Sequence, residues 1–202
     1  KIVVWVLILL LNASVVEGTK YAGAFLELGV GAQALGLGGA FVAVVNDATG
    51  TYWNPAGLSY VSGKEIVFMH SETFGSLLNH DFISYAFPYK TSVVGVSLIR
   101  LGGDGIKLTE LQDANQPLGF ANRAFVKDVV GHADYTFLFS YAKTQTAKFR
   151  WGATAKVIYR EIPEAFGLGV DVGGMFTPGE FLTVGVNLKD ATSTLLAYDN
   201  GT

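Results

Sequence analysis

Histidine is the side chain most often recruited to bind a transition metal or to carry a proton near neutral pH, and this chain has three, His70, His80 and His132. None stands in an H-E-x-x-H or a comparable ligand spacing, so no metal is expected. His80 and Asp81 make the only local acid–base pair, and the two read more simply as a solvated strand start than as a general base and its orienter. G-x-S-x-G does not occur, which leaves a nucleophile elbow without support. Cysteine is absent, and with it disulfides, thiolate metal sites and cysteine nucleophiles. Gly29-Val30-Gly31-Ala32-Gln33-Ala34 fits the dinucleotide pattern G-x-G-x-x-A after a possible strand over Ala24–Leu28, with Asp47 about twenty residues on. That pattern needs parallel apolar strands alternating with helices downstream, and none follow. The glycines read instead as points of close packing. These residues predict no enzyme and no cofactor.

The composition points elsewhere. Of 202 residues, 50% are hydrophobic and only 15% charged, and mean hydropathy is +0.37, more apolar than a typical soluble domain. With a net charge of -3 and no basic block, the electrostatic footprint for nucleic acid is missing. Lys1 precedes an unbroken apolar run from Ile2 to Leu11, then Asn12-Ala13-Ser14 and Val15-Val16-Glu17-Gly18. A positive start, a short apolar stretch and a small-residue exit make residues 1–18 a secretory signal, too short to span a bilayer, with Thr19 as the expected mature N-terminus. The chain does not open on methionine and is expected to begin inside its gene product.

The remaining hydrophobicity follows a period of two, the signature of strands with two different faces. Over Ala133–Lys143, Tyr135, Phe137, Phe139 and Tyr141 oppose Asp134, Thr136, Leu138, Ser140 and Ala142. Over Arg150–Arg160, Trp151, Ala153, Ala155, Val157 and Tyr159 oppose Arg150, Gly152, Thr154, Lys156, Ile158 and Arg160. Phe166–Thr177 and Phe181–Lys189 repeat the theme, and weaker copies at Glu65–Ser71, Asp81–Pro88 and Ser92–Leu101 bring the expected strands to seven. Short turns at Tyr89–Thr91, Thr144–Phe149 and Pro178–Glu180 alternate with longer loops at Glu72–His80 and Gly102–His132; Ile162–Ala165 is the exception. That connectivity predicts an all-β fold, a transmembrane antiparallel β-barrel with short periplasmic turns and long outer loops. Tyr89, Tyr141, Trp151, Phe176 and Phe181 then gather near the short turns as an interfacial girdle. A soluble exported β-sandwich is the alternative, but charges and glycines at mid-strand on the polar face suit a solvated lumen better.

Strand pairing predicts a polar row across that lumen. Setting Arg160 opposite Gly167 and Thr177 opposite Phe181 places Lys156 against Asp171 and Asp171 against Asn187. Directly opposed side chains sit ~5 Å apart at Cβ.

The residues from Lys20-Tyr21-Ala22-Gly23-Ala24-Phe25 through Gly29-Val30-Gly31 and Gly38-Gly39-Ala40-Phe41, on to Asn46-Asp47-Ala48-Thr49 and Tyr52-Trp53-Asn54-Pro55-Ala56-Gly57-Leu58, resemble the start of the PorV/PorQ family, within the wider FadL-type superfamily of outer-membrane proteins. Gln33 departs from the basic residue often found there. The resemblance implies a bacterial outer-membrane, FadL-like barrel of about fourteen strands, an even number as such barrels require. Residues 19–62 would be an N-terminal hatch and 63–202 the first half of the barrel. In the hatch motif, Pro55 would fix a turn and push Asn54 out of the helical region. Gly57, with Gly50, would allow tight packing around Ala56, and Tyr52 and Trp53 would anchor on the lumen wall. Function is then expected to be binding or passage of a hydrophobic small molecule, or a part in type IX secretion in which outer loops hold a secreted cargo protein. Outer-membrane lipid is the surrounding partner, and a purely structural envelope role is the plainer alternative.

Overall fold

A segment that alternates apolar and polar residues gains from forming a strand only if its two faces meet different surroundings. The computed structural model describes residues 24–75, 77–161, 164–191 and 195–198, and its curved wall meets that condition. The strands are β1 (Glu65–Thr73), β2 (Leu78–Tyr89), β3 (Ser92–Leu111), β4 (Ala124–Thr144), β5 (Phe149–Arg160), β6 (Ala165–Gly179), β7 (Leu182–Leu188) and β8 (Leu195–Tyr198). The first seven form one antiparallel sheet in chain order, curled as a half-barrel. β8 pairs with Ala165–Leu168 of β6, beyond the end of β7.

Residues 24–61 lie across the concave face. Their regular pieces are short: a 3-10 turn at Ala24–Leu28, a helix at Ala32–Gly36, a helical turn at Gly50–Trp53 and a second 3-10 turn at Pro55–Tyr60. Glycines and an Asn-Pro interrupt every longer run, so the chain bends where it must to follow the curved sheet. Phe41, Val45, Tyr52, Trp53 and Ala56 from this segment share one buried cluster with Phe82, Ile99, Leu138 and Met175 from the wall. Ala48, Leu58 and Val61 form another with Ala86, Val93 and Ala142. Full burial of a side chain the size of Phe41 or Leu58 is worth roughly 1.5–3 kcal/mol, so this segment is part of the core.

The outer face is apolar. Ile83, Val96, Phe137, Phe139, Leu168, Val172 and Phe176 point outward and are exposed, as do Ile66 and Phe68 of the first strand. At the short-turn end Tyr141 and Trp151 have ring centroids 5.9 Å apart, and Tyr89, Phe149 and Phe181 stand exposed beside them. At the opposite end the register row His70, Asp81, Arg100 and Tyr135 replaces the apolar side chains. There His70 Nδ1 lies 2.6 Å and Arg100 Nη1 3.1 Å from the Asp81 carboxylate.

Sequence expectations change at three places. Glu72–His80, read as a longer loop, is mostly strand, since β1 runs to Thr73 and β2 starts at Leu78. Gly102–His132, read as a long loop, is mostly strand: β3 continues to Leu111 and β4 starts at Ala124, pairing Ile106 with Val130 and Leu111 with Ala124. This two-stranded ribbon is exposed on both faces, and register shifts at Gly103/Ile106 and Leu108/Thr109 break its alternation. A period-two search has nothing to find there. Beyond Lys189, where the seventh and last expected strand ends, β8 follows. The predicted signal peptide, residues 1–18, lies outside the described residues.

Candidate functional site

The stretch from Asp47 to Val61 is where the N-terminal segment meets the wall. Asp47 Oδ1 accepts from the Thr49 amide at 2.9 Å, which starts the helical turn Gly50–Trp53. Asn54 is extended, and its Oδ1 accepts from the Ala56 amide at 3.1 Å, capping the 3-10 turn that Pro55 opens. Its Nδ2 donates to the Val42 carbonyl at 2.9 Å and towards the Gly174 carbonyl on β6 at 3.4 Å. One side chain therefore fastens the turn to itself, to the preceding segment and to the sheet. Asn54→Ala is expected to lose the cap, worth 0.5–2 kcal/mol, while Pro55 still fixes the turn, so the variant should assemble with a lower urea midpoint.

The glycines of the concave face, expected to border a solvated lumen, are instead a cradle for this turn. A β-carbon at Gly152 would sit 2.5 Å from the Pro55 carbonyl carbon, and at Gly173 it would meet Asn54 Oδ1 and lie 2.8 Å from Pro55 Cδ. At Gly95 it would come within 2.6 Å of Thr51 Cγ2, and at Gly185 within 2.6 Å of Ala43 Cα. On the other side of the turn, Gly57 has the same relation to Val45. The signal was present in the sequence as glycines on the polar face of successive strands, but period two does not say what covers a face.

Hydroxyls fill the spaces between these contacts. Thr51 Oγ1 and Ser97 Oγ are 2.6 Å apart, Ser97 donates to Ser84 at 2.8 Å, and Ser84 donates to the Ala48 carbonyl at 2.7 Å. Thr154 pairs with Ser140 at 2.7 Å and reaches the Thr51 carbonyl at 3.3 Å.

Tyr52 and Trp53, expected to anchor on the wall, share a buried cluster with it and are also fastened within the N-terminal segment. Trp53 Nε1 donates to the Val30 carbonyl at 2.8 Å, and its ring meets Phe41 and Tyr52 edge-on at 6.1 and 5.0 Å. The Tyr52 hydroxyl donates to the Leu26 carbonyl. Burial pushes the Tyr52 phenol up to about 12, so it stays a neutral donor. The ammonium of Lys189 stands 4.4 Å over the Tyr52 ring. Gly29 and Gly31 both have positive φ, 78° and 83°, and the helix after them is only five residues long. They shape a bend against Trp53 and Thr49, which matches the packing reading of the dinucleotide-like pattern.

Lys156, Asp171 and Asn187 all belong to the concave face, as predicted, but each pairing is two residues away from the predicted register. Lys156 faces Gly169, Thr154 faces Asp171, and Gly173 faces Asn187. The physical reasons are local: β6 begins at Ala165 and so pairs that residue with Arg160, and an irregularity lies between Phe176 and Gly179. The Lys156–Asp171 contact survives as a diagonal, Nζ to Oδ1 at 2.8 Å. Gly169 has no side chain to obstruct it, and diagonal neighbours are within reach of a long side chain. Asn187 turns away from Asp171 and donates to the Trp53 carbonyl at 3.0 Å. A residue not foreseen completes the cluster: Asp190, at φ 53°, puts its carboxylate 2.7 Å from Lys156 and donates its amide to Asp171.

His80 and Asp81 are not a pair. The strand points His80 inward and Asp81 outward to His70 and Arg100. No family model matches the chain, and neither a curated protein nor a solved structure is similar to it.

Proposed function

We propose that the chain forms wall and plug of an outer-membrane β-barrel of PorV/PorQ type, FadL-like in design, that binds or passes hydrophobic small molecules. The observation that carries this reading is the two-faced sheet. From Phe166 to Phe176, β6 turns only apolar residues or glycine outward, with aromatics at both ends. That is about the 9–11 tilted residues a strand needs to cross a bilayer core. A soluble sandwich would cover such a face with a second sheet, whereas among the described residues the cover is on the concave side, where residues 24–61 act as the hatch.

A role in type IX secretion is the second reading, favoured by the tip of the β3–β4 ribbon. Asn122 organises it, donating to the Asp113 and Gln116 carbonyls at 2.8 and 2.9 Å while its Oδ1 accepts from the Asp113 amide. The ordered loop holds Phe120 91% and Leu118 71% exposed, as a cargo-docking tip would.

Orientation is the first test, and this chain brings no cysteine of its own to it. In intact cells producing the full-length protein, a membrane-impermeant thiol reagent should label Asn115→Cys and spare Gly179→Cys. Labelling of position 179 but not 115 overturns the orientation; equal labelling of both in a soluble exported fraction overturns the membrane reading. Uptake of a long-chain lipid by cells with and without the protein tests the transport role.

A further inference from the structure

The hydroxyls and amides of the concave face divide into two groups. Beneath the Asp47–Val61 stretch they are paired: Thr51, Ser84, Ser97, Ser140, Thr154 and Asn54 all have partners. At the far end of the same face they are not. His80 Nε2, Asp134 Oδ1 and Thr136 Oγ1 are buried with no hydrogen-bond partner, on residues that are 7%, 4% and 0% exposed. All three point inward. His80 and Asp134 lie in one register row, on either side of Leu101, and Thr136 is the next inward residue below Asp134. Near the plug the unpaired atoms are isolated, Asn187 Oδ1 on β7 and Arg150 Nε on β5, whereas here several lie together, and such groups destabilise the unliganded fold.

We propose that this corner binds the uncharged, donor-bearing head group of an amphiphile, an alcohol or a primary amide. The proposal rests on the small-molecule reading of the pore. The head-group chemistry follows from charge. Asp134 is already ion-paired, its Oδ2 accepting from Arg160 Nε at 3.3 Å, so the pair is neutral as a unit. A carboxylate head would face the Asp134 oxygen, and the Arg160 guanidinium beside it is already paired. An ammonium head would face Arg160. A hydroxyl or amide can donate to Asp134 Oδ1 and still accept from Thr136 or His80. The next row towards the plug is apolar, with Phe82, Ile99 and Ile158 buried around Thr136. Arg160 is partly exposed and stands at the open side of the corner.

The test uses the full-length protein in nanodiscs, with 1-dodecanol and dodecanoate as probes and calorimetry as the readout. Dodecanol is expected to bind at least ten-fold more tightly than dodecanoate. Thr136→Val keeps the shape and removes one hydroxyl, and it should weaken dodecanol by roughly three- to ten-fold, the worth of one neutral hydrogen bond. Without ligand, the same variant should unfold at higher temperature than the parent, because a buried unpaired hydroxyl is gone. Dodecanoate binding as tightly as the alcohol would overturn the head-group assignment and leave the small-molecule reading standing. Neither probe binding would remove both. Alcohol binding unchanged in Thr136→Val and His80→Phe, or a lower melting temperature for unliganded Thr136→Val, would overturn the placement.

Discussion

Gly173→Val is expected to be among the most damaging single changes in the chain, costing 3 kcal/mol or more, the upper end of what overpacking does. The new side chain would begin where Asn54 Oδ1 now sits, with Pro55 Cδ 2.8 Å from its β-carbon. Neither neighbour can give way cheaply. Asn54 is held by the Val42 carbonyl and the Ala56 amide, and the Pro55 carbonyl is pressed against Gly152 on the adjacent strand. The turn must leave the wall or β6 must bow outward, and both uncover the cluster of Phe41, Trp53 and Met175. Gly63→Ala is the matched control, since nothing lies within 4 Å of its added carbon. It should stay within about 0.5 kcal/mol of wild type, as surface changes do. Urea midpoints and heat-modifiable gel mobility of the full-length protein report both. A Gly173→Val protein with the wild-type midpoint would mean that the Asn54–Pro55 turn is not locked to the sheet.

The same contact explains what could and could not be read beforehand. In β4, β5 and β6 the outward faces are apolar or glycine and the inward faces mostly polar or glycine, so face and strand were both legible from Tyr135 to Thr177. In the ribbon beyond Leu101 both faces meet solvent, so the chemistry no longer alternates and the strands were missed. Register was beyond reach for a different reason. It depends on where a turn begins and whether a strand carries an irregularity, and one two-residue shift at Ala165 moved Lys156 from Asp171 to Gly169. Parity is insensitive to such a shift, which is why the facing of Lys156, Asp171 and Asn187 held while their partners changed. Asp190 was illegible because nothing in Leu188-Lys189-Asp190 announces a left-handed residue; glycine usually marks one. The Asn-Pro motif was legible as a turn, but its receptor is a set of absences, the missing side chains at Gly152 and Gly173.

Lys156→Met is expected to cost about 3–5 kcal/mol, the range for removing one partner of a buried ion pair. Lys156 and Asp171 are each only 4% exposed, so the lysine is what makes the Asp171 carboxylate tolerable in the interior. Asp190 adds a second carboxylate 2.7 Å from the same ammonium, and it is partly exposed. With the lysine gone, Asp190 can turn to solvent but Asp171 cannot. Hence Lys156→Met combined with Asp171→Leu should recover most of the loss, because a buried pair replaced by apolar groups of similar size is often neutral or stabilising. A surface pair gives the contrast. Lys127 and Glu110 are 2.8 Å apart with side chains 62% and 48% exposed. Lys127→Met should therefore cost no more than about 1 kcal/mol, a contribution that salt screens. If Lys156→Met is no more costly than Lys127→Met, the interior placement of the pair is wrong. If the double variant is as unstable as the single, lost packing around the lysine stem, and not an uncompensated charge, is what the wall cannot bear.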